Sequence, residues 1–312
     1  MNPTFAKFDL SQRFLVVLAA ALACFSVPVL AAVASFQDGA FSAKVAQATG
    51  ALAIDLASAA GQPAARIPLG SAVTQVKSIQ RAGDKLVVMG DLGAGGATEV
   101  SIFDLPSRSL SDRFWAIAPA LSPDGQWVAF VRFYPMGGVS GVESQYRLYH
   151  LAQSPAQNRA AFAGVAAGDI GPSALQDVGF ALYPSYGGQS APDNVGVADR
   201  LGHRHGSGLF WSADSKSVGF VDVRGGKART VVTTLAADAS VSSVRSAALP
   251  ALGKLCLAGM SSPGCRVVDV ESVRLDFEAT SQAVRVSLPG SNADKLAPRT
   301  LDLPLKSFVT AE

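Results

Sequence analysis

The sequence predicts an all-β chain, and three observations carry that expectation. Short runs of alternating apolar and polar residues recur along it, each bounded by Gly, Pro, Asp or Ser. No stretch beyond residue 60 keeps the i, i+3, i+4, i+7 spacing of a helix for three turns. A turn-plus-strand unit also returns at intervals of roughly 40 residues, the length of a four-stranded blade in a β-propeller. Composition agrees. Of 312 residues, 49% are apolar and only 16% charged, which excludes a disordered chain. A formal charge of +2 gives no electrostatic footprint for nucleic acid. Thirty glycines and 17 prolines supply tight turns, whereas three histidines leave little for acid–base or metal chemistry.

The elements follow in order. Residues 1–34 read as a secretory signal peptide. Lys7 and Arg13 lie in a polar lead, Phe14–Phe25 is an unbroken apolar core, and Ala32-Val33-Ala34 is a small-residue cleavage site. Cleavage after Ala34 makes the protein periplasmic or secreted, with no membrane span left afterwards. Ala43–Ala60 is alanine-rich, yet Gly50–Leu56 reads as a strand. Strand-length runs rich in β-branched and aromatic residues then occupy Lys85–Gly90, Glu99–Leu105, Trp127–Phe133, Tyr146–Leu151, Ser217–Val223, Arg229–Leu235, Arg266–Val270 and Val284–Leu288. Once residues 1–34 and Cys24 are removed, Cys256 and Cys265 form an even pair. In an exported protein that implies a disulfide pinning the turn between two strands.

The repeat is clearest at Leu121-Ser122-Pro123-Asp124-Gly125-Gln126-Trp127-Val128-Ala129-Phe130 and at Phe210-Trp211-Ser212-Ala213-Asp214-Ser215-Lys216-Ser217-Val218-Gly219-Phe220. Ala82-Gly83-Asp84 and Leu252-Gly253-Lys254 begin weaker copies. Residues 121–130 and 210–220 resemble the WD-like repeat of TolB-type β-propellers, with Ser and Asp closing a turn before an alternating strand that ends in Phe. The resemblance implies a single propeller over residues 35–312, six-bladed by the family's usual count, carrying a long insertion or degenerate blade at residues 164–208. It specifies architecture and leaves function to the site.

Candidate functional residues concentrate in that insertion. A loop of this length inside a compact repeat is a place for recognition. Tyr183, Tyr186, His203, Arg204 and His205 would give it aromatic and cationic contacts. The partner expected is an envelope protein or peptide, with no cofactor and no metal. His203 and His205 have the spacing of two ligands on one strand face, with His150, Asp193 and Asp199 as the remaining donors, but a lone histidine pair is no metal site. An enzyme, hydrolase or lyase, with its site near His203 and His205 at the channel mouth is the alternative. The G-x-S-x-G elbow of the propeller peptidases is absent from the sequence. Phe133–Gly138 begins a second extended loop, ending near Glu143.

Overall fold

The computed structural model describes residues 35–48, 50–58, 64–93, 96–132, 145–163, 175, 178–182, 204–224, 227–236, 240–249, 255–257, 266–268, 272–278, 282–290 and 297–310. The leader assigned to residues 1–34 lies outside them. No helix among the described residues is long and apolar enough to cross a membrane.

The chain is all-β, as its alternation predicts. The first sheet is an antiparallel meander of β1 (Ser35–Gln37), β2 (Phe41–Ala48), β3 (Ala51–Ser58) and β4 (Ala65–Pro68). The alanine-rich stretch is therefore strand: Ala43, Ile54 and Leu56 alternate inward, and helix propensity yields to that buried face. The second sheet runs through β5 (Gln75–Ala82), β6 (Lys85–Asp91), β7 (Ala97–Asp104), β8 (Ser109–Leu121), β9 (Trp127–Arg132), β10 (Tyr146–His150) and β11 (Phe180–Ala181). It folds over at β8, where the pairing to β9 slips between Ile117 and Ala120 and Ala118 takes φ +47°. One long strand thus closes one meander and opens the next.

A nine-residue helix, α1 (Pro155–Ala163), joins β10 to β11. Next comes a sheet of β12 (Arg204–His205), β13 (Phe210–Trp211), β14 (Ser217–Arg224), β15 (Lys227–Leu235) and β16 (Val241–Ala248). β17 (Leu255–Leu257) and β18 (Arg266–Val268) form a small pair, and β19 (Arg274–Glu278), β20 (Ala283–Leu288) and β21 (Arg299–Pro304) a three-stranded meander. β22 (Val309–Thr310) returns to the edge of β16.

Apolar residues collect in four clusters; the second lies between the two halves of the sheet that folds over at β8, and the others lie between successive sheets. Ile54, Leu56, Leu86 and Phe103 fill the first, and Val100, Phe114, Phe130 and Tyr149 the second. Trp127, Leu148, Phe220 and Val231 make the third, and Val221, Val232, Leu275 and Val286 the fourth. Five packed sheet units result, and each large buried side chain contributes about 1.5–3 kcal/mol. Among the described residues no cluster joins the first unit to the last.

The repeat motif has a physical cause at both of its best copies. Ser122 Oγ accepts the amides of Gln126 (3.1 Å) and Trp127 (2.9 Å) while donating to Asp124 Oδ1 (2.6 Å). Ser212 repeats this, accepting from the Ser217 amide (2.9 Å) and donating to Asp214 Oδ1 (2.6 Å). Both turns need a left-handed residue, Gly125 at φ +68° and Ser215 at φ +58°. The amides of Leu105, Leu151 and Leu235 donate to the carbonyls of Asp84, Gln126 and Lys216, each just past its turn's left-handed residue. Ahead of β20, Gln282 is also left-handed (φ +47°), and there its own carbonyl accepts the Leu305 amide (2.7 Å). The unit expected to begin at Leu252-Gly253-Lys254 lies outside the described residues.

Ser215 accepts its strained conformation because Oγ receives the Asp124 amide (3.0 Å), stitching two turns from successive units. Replacing Ser215 by Ala removes that acceptor and keeps the strain, so a loss of about 1–2 kcal/mol is expected. Ser215→Gly releases the strain as it loses the bond and should fall between wild type and Ser215→Ala in a urea titration.

β17 and β18 flank the cysteine segment as expected, but they pair in parallel, with Cys256 opposite Val267. The connection is therefore not the simple turn of an antiparallel hairpin. Cys265 lies outside the described residues.

Candidate functional site

Five residues were expected to form a recognition surface. Tyr183, Tyr186 and His203 lie outside the described residues. Arg204 and His205 form β12, in register with Val223 and Asp222 of β14. Of the insertion expected at residues 164–208, the described parts are residues 175, 178–182 and 204–208. The insertion begins just after α1, includes β11, and ends through β12 and Ser207.

The segments 133–144 and 183–203 lie outside the described residues, and the strands that flank them meet them at one end of neighbouring sheets. The loop at 133–144 departs from β9 after Arg132 and re-enters β10 at Gln145, where the Arg132 amide donates to the Gln145 carbonyl (2.8 Å). The segment 183–203 departs after Leu182, whose amide donates to the Tyr146 carbonyl (2.9 Å), and returns through β12 onto the far half of β14. At the opposite end of these strands lie the Ser122 and Ser212 turns. Strand register alone therefore gathers both loop roots on one face.

The layer beneath the roots is polar and closed. Tyr146 Oη donates to Asp222 Oδ1 (2.8 Å), and the Tyr146 ring stacks on Phe220 with centroids 4.0 Å apart. Thr233 Oγ1 donates to the Leu182 carbonyl (3.1 Å), and Ser207 Oγ accepts the Val221 amide (2.8 Å). Gln145 Oε1 accepts from Arg147 Nη2 (3.2 Å) and Arg132 Nη1 (3.4 Å). Asp222 and Arg147 are buried. A hydrogen-bonded polar layer of this kind fixes where the two segments emerge.

His150 is not brought to His205. It ends β10 beside the turns, its ring stacked on Trp127 with centroids 4.0 Å apart. Its amide donates to Asn158 Oδ1 (2.8 Å), and its carbonyl accepts from Asn158 Nδ2 (2.9 Å). Desolvation pushes the imidazole below its ordinary value, against the pull of Asp124. His205 pairs with Asp222, five residues along β14 from Ser217, or roughly 17 Å from the turn end at strand rise. That separation removes His150 from the ligand set considered with His203 and His205. Among the described residues no three His, Cys, Asp or Glu side chains gather to hold a metal.

Sequence reading missed α1 and what it carries. Its apolar spacing is too weak to signal a helix, but its start is written in Ser154-Pro155-Ala156-Gln157. The Ser154 amide donates to Gln157 Oε1 (2.9 Å) and Ser154 Oγ accepts the Gln157 amide (3.3 Å), a capping box with Pro at the first helical position. The helix presents Arg159 to Asp112 on β8 in a fork, Nη2 to Oδ1 at 2.6 Å and Nη1 to Oδ2 at 2.8 Å. Tyr149 Oη donates to the same Oδ2 (2.7 Å). Burial, and then the Asp112 charge, push the Tyr149 phenol well above its ordinary value. The two tyrosines of β10 thus point to opposite faces: Tyr146 bonds Asp222 of the next sheet, and Tyr149 bonds Asp112 on β8, where its own sheet folds over. The sheet under both loops is fixed on both sides.

No family model matches the chain, and no curated protein matches it. Among solved structures, a prolyl endopeptidase is similar at 14% identity and TM-score 0.39 over 87% of this chain and 35% of its own; its study concerned inter-domain dynamics in catalysis and specificity. Oligopeptidase B from Leishmania major is similar at 8% identity and TM-score 0.39, over 86% of this chain and 32% of its own. A putative TolB from Agrobacterium tumefaciens is similar at 15% identity and TM-score 0.31, over 87% and 80%. The chain spans about a third of the length of the two peptidases.

Proposed function

We propose that the chain is an exported, TolB-like β-propeller that binds an envelope protein or peptide through the loops at 133–144 and 183–203. The observation behind this reading is their common root: both leave one end of adjacent sheets, over a layer held by Tyr146, Asp222 and Leu182. Variable loops on a rigid scaffold form a recognition surface whose chemistry can change without altering the fold. The reading includes removal of residues 1–34 and a Cys256–Cys265 disulfide. Tyr183, Tyr186, His203, Arg204 and His205 supply the aromatic and cationic contacts.

The test replaces residues 183–203 by a short Gly-Ser linker and compares it with wild type in cross-linking pull-downs from an envelope fraction. A protein captured by wild type and lost by the linker variant, at unchanged thermal midpoint, is the expected result. The same captured set with and without the loop overturns the reading. Peptide mapping of the same non-reduced preparation reads the new amino terminus and the disulfide.

A further inference from the structure

The first and last sheets each turn one face to solvent, and the charges on those faces are arranged in opposite order. On the first sheet, Ala43, Ile54 and Leu56 point into the core. The other face carries Lys44, Asp55 and Arg66 directly across from one another on β2, β3 and β4. Arg66 Nε and Nη2 reach the two Asp55 oxygens at 2.7 and 2.8 Å, and Arg66 remains 57% exposed. The Arg66 hydrogen bond holds the Asp55 carboxyl below the usual carboxylate range.

On the last sheet, Leu275, Val284 and Val286 point inward. Asp276, Arg285 and Asp302 lie in register on the outward face of β19, β20 and β21. Arg285 Nε bonds Asp302 Oδ1 at 2.8 Å, and Arg285 also pairs with Glu278. Arg285 is 42% and Asp302 58% exposed.

One row reads cation, carboxylate, cation; the other reads carboxylate, cation, carboxylate. Both have the same spacing, because neighbouring strands are about 4.8 Å apart in any sheet. Laid face to face, every charge of one row meets its opposite on the other. We propose that these two faces dock head to tail between copies of this chain, the last sheet of one molecule on the first sheet of the next. A second copy is the occupant because one chain exposes both complementary rows, and a heterologous contact uses each once. Exposed ion pairs are individually weak and screened within about 10 Å at 0.1 M salt, so the association is salt-sensitive.

Inverting a whole row keeps the pairing inside its sheet and reverses only the face it presents. The first variant carries Lys44→Glu, Asp55→Lys and Arg66→Glu, and the second Asp276→Lys, Glu278→Lys, Arg285→Glu and Asp302→Lys. Sedimentation velocity should show wild type associating at about 20 mM NaCl, with affinity at least about tenfold weaker at about 300 mM. Each variant alone should remain monomeric at low salt, since like charges now face each other. An equimolar mixture should associate again, because each inverted row finds its complement on the other variant. Circular dichroism on each variant confirms folding, and a chain with both rows inverted should self-associate like wild type. A wild type that stays monomeric at low salt, single variants that associate as well as wild type, or a mixture that stays monomeric would overturn the proposal. The last two outcomes would leave the rows as surfaces that keep sheets apart.

Discussion

Replacing Asp112 by alanine should destabilise the protein by about 3–5 kcal/mol, the largest loss expected from any single polar side chain in this fold. Asp112 accepts from Arg159 Nη1 and Nη2, from the Tyr149 hydroxyl and from the Arg113 amide (2.7 Å). Its side chain is 6% exposed and that of Arg159 14%. Removing the carboxylate strands a guanidinium and a phenol away from water. The cost is therefore mainly that of orphaned donors, not of the lost attraction. Tyr149→Phe deletes one donor and leaves the Arg159 fork intact, so it should cost only about 1 kcal/mol. A double-mutant cycle between Asp112→Ala and Arg159→Met in urea separates the two contributions. Strong non-additivity is expected, since removing both charges leaves no unpaired ion. Additive losses would show that α1 is held by its apolar contacts alone.

The contrast between these interactions and the strands explains what was legible in the sequence. The apolar runs at Leu86–Val88 and Val218–Phe220 are local, and a strand buried on both faces needs only such a run. The Ser122 and Ser212 turns were readable for the same reason, because their hydrogen bonds span no more than five residues. The Asp112 bonds to Tyr149 and Arg159 reach across 37 and 47 residues, and the Tyr146–Asp222 bond across 76. No local pattern announces them. The Ser154–Gln157 capping box was readable but short, and without an apolar stripe it marks a start with no length. The Gly- and Pro-rich composition of residues 133–144 and 183–203 is local, whereas the common end of the strands that flank them depends on the registers of β9 with β10 and of β12 with β14. Gln282, a residue with no turn preference, takes the left-handed position ahead of β20, and no local pattern announces that.

The second large effect is expected at Gly179, where geometry rather than charge decides. Gly179 precedes β11 with φ +85°, and its amide donates to the Asn158 carbonyl (2.8 Å). A Cβ built there would sit 2.7 Å from the Leu148 carbonyl oxygen and 3.1 Å from its carbon. These are backbone atoms of a central strand, already paired to β9 and β11, so they cannot yield as a flexible side-chain end would. Gly179→Ala combines a left-handed penalty of about 1 kcal/mol with an overpacking cost of about 1–3 kcal/mol. A total near 3 kcal/mol follows, unless β11 detaches. Detachment would relieve the clash by releasing Phe180 and Ala181 from β10, and with them the root of the 183–203 loop. Hydrogen exchange distinguishes the two responses. Global destabilisation with β11 amides still protected signals strain held in place, while early exchange at Ala181 and Leu182 alone signals an unfastened root. In the second case partner capture should fall with β11 protection although the thermal midpoint barely moves. Capture that persists with β11 detached would separate the binding surface from this root and locate it on the 133–144 loop.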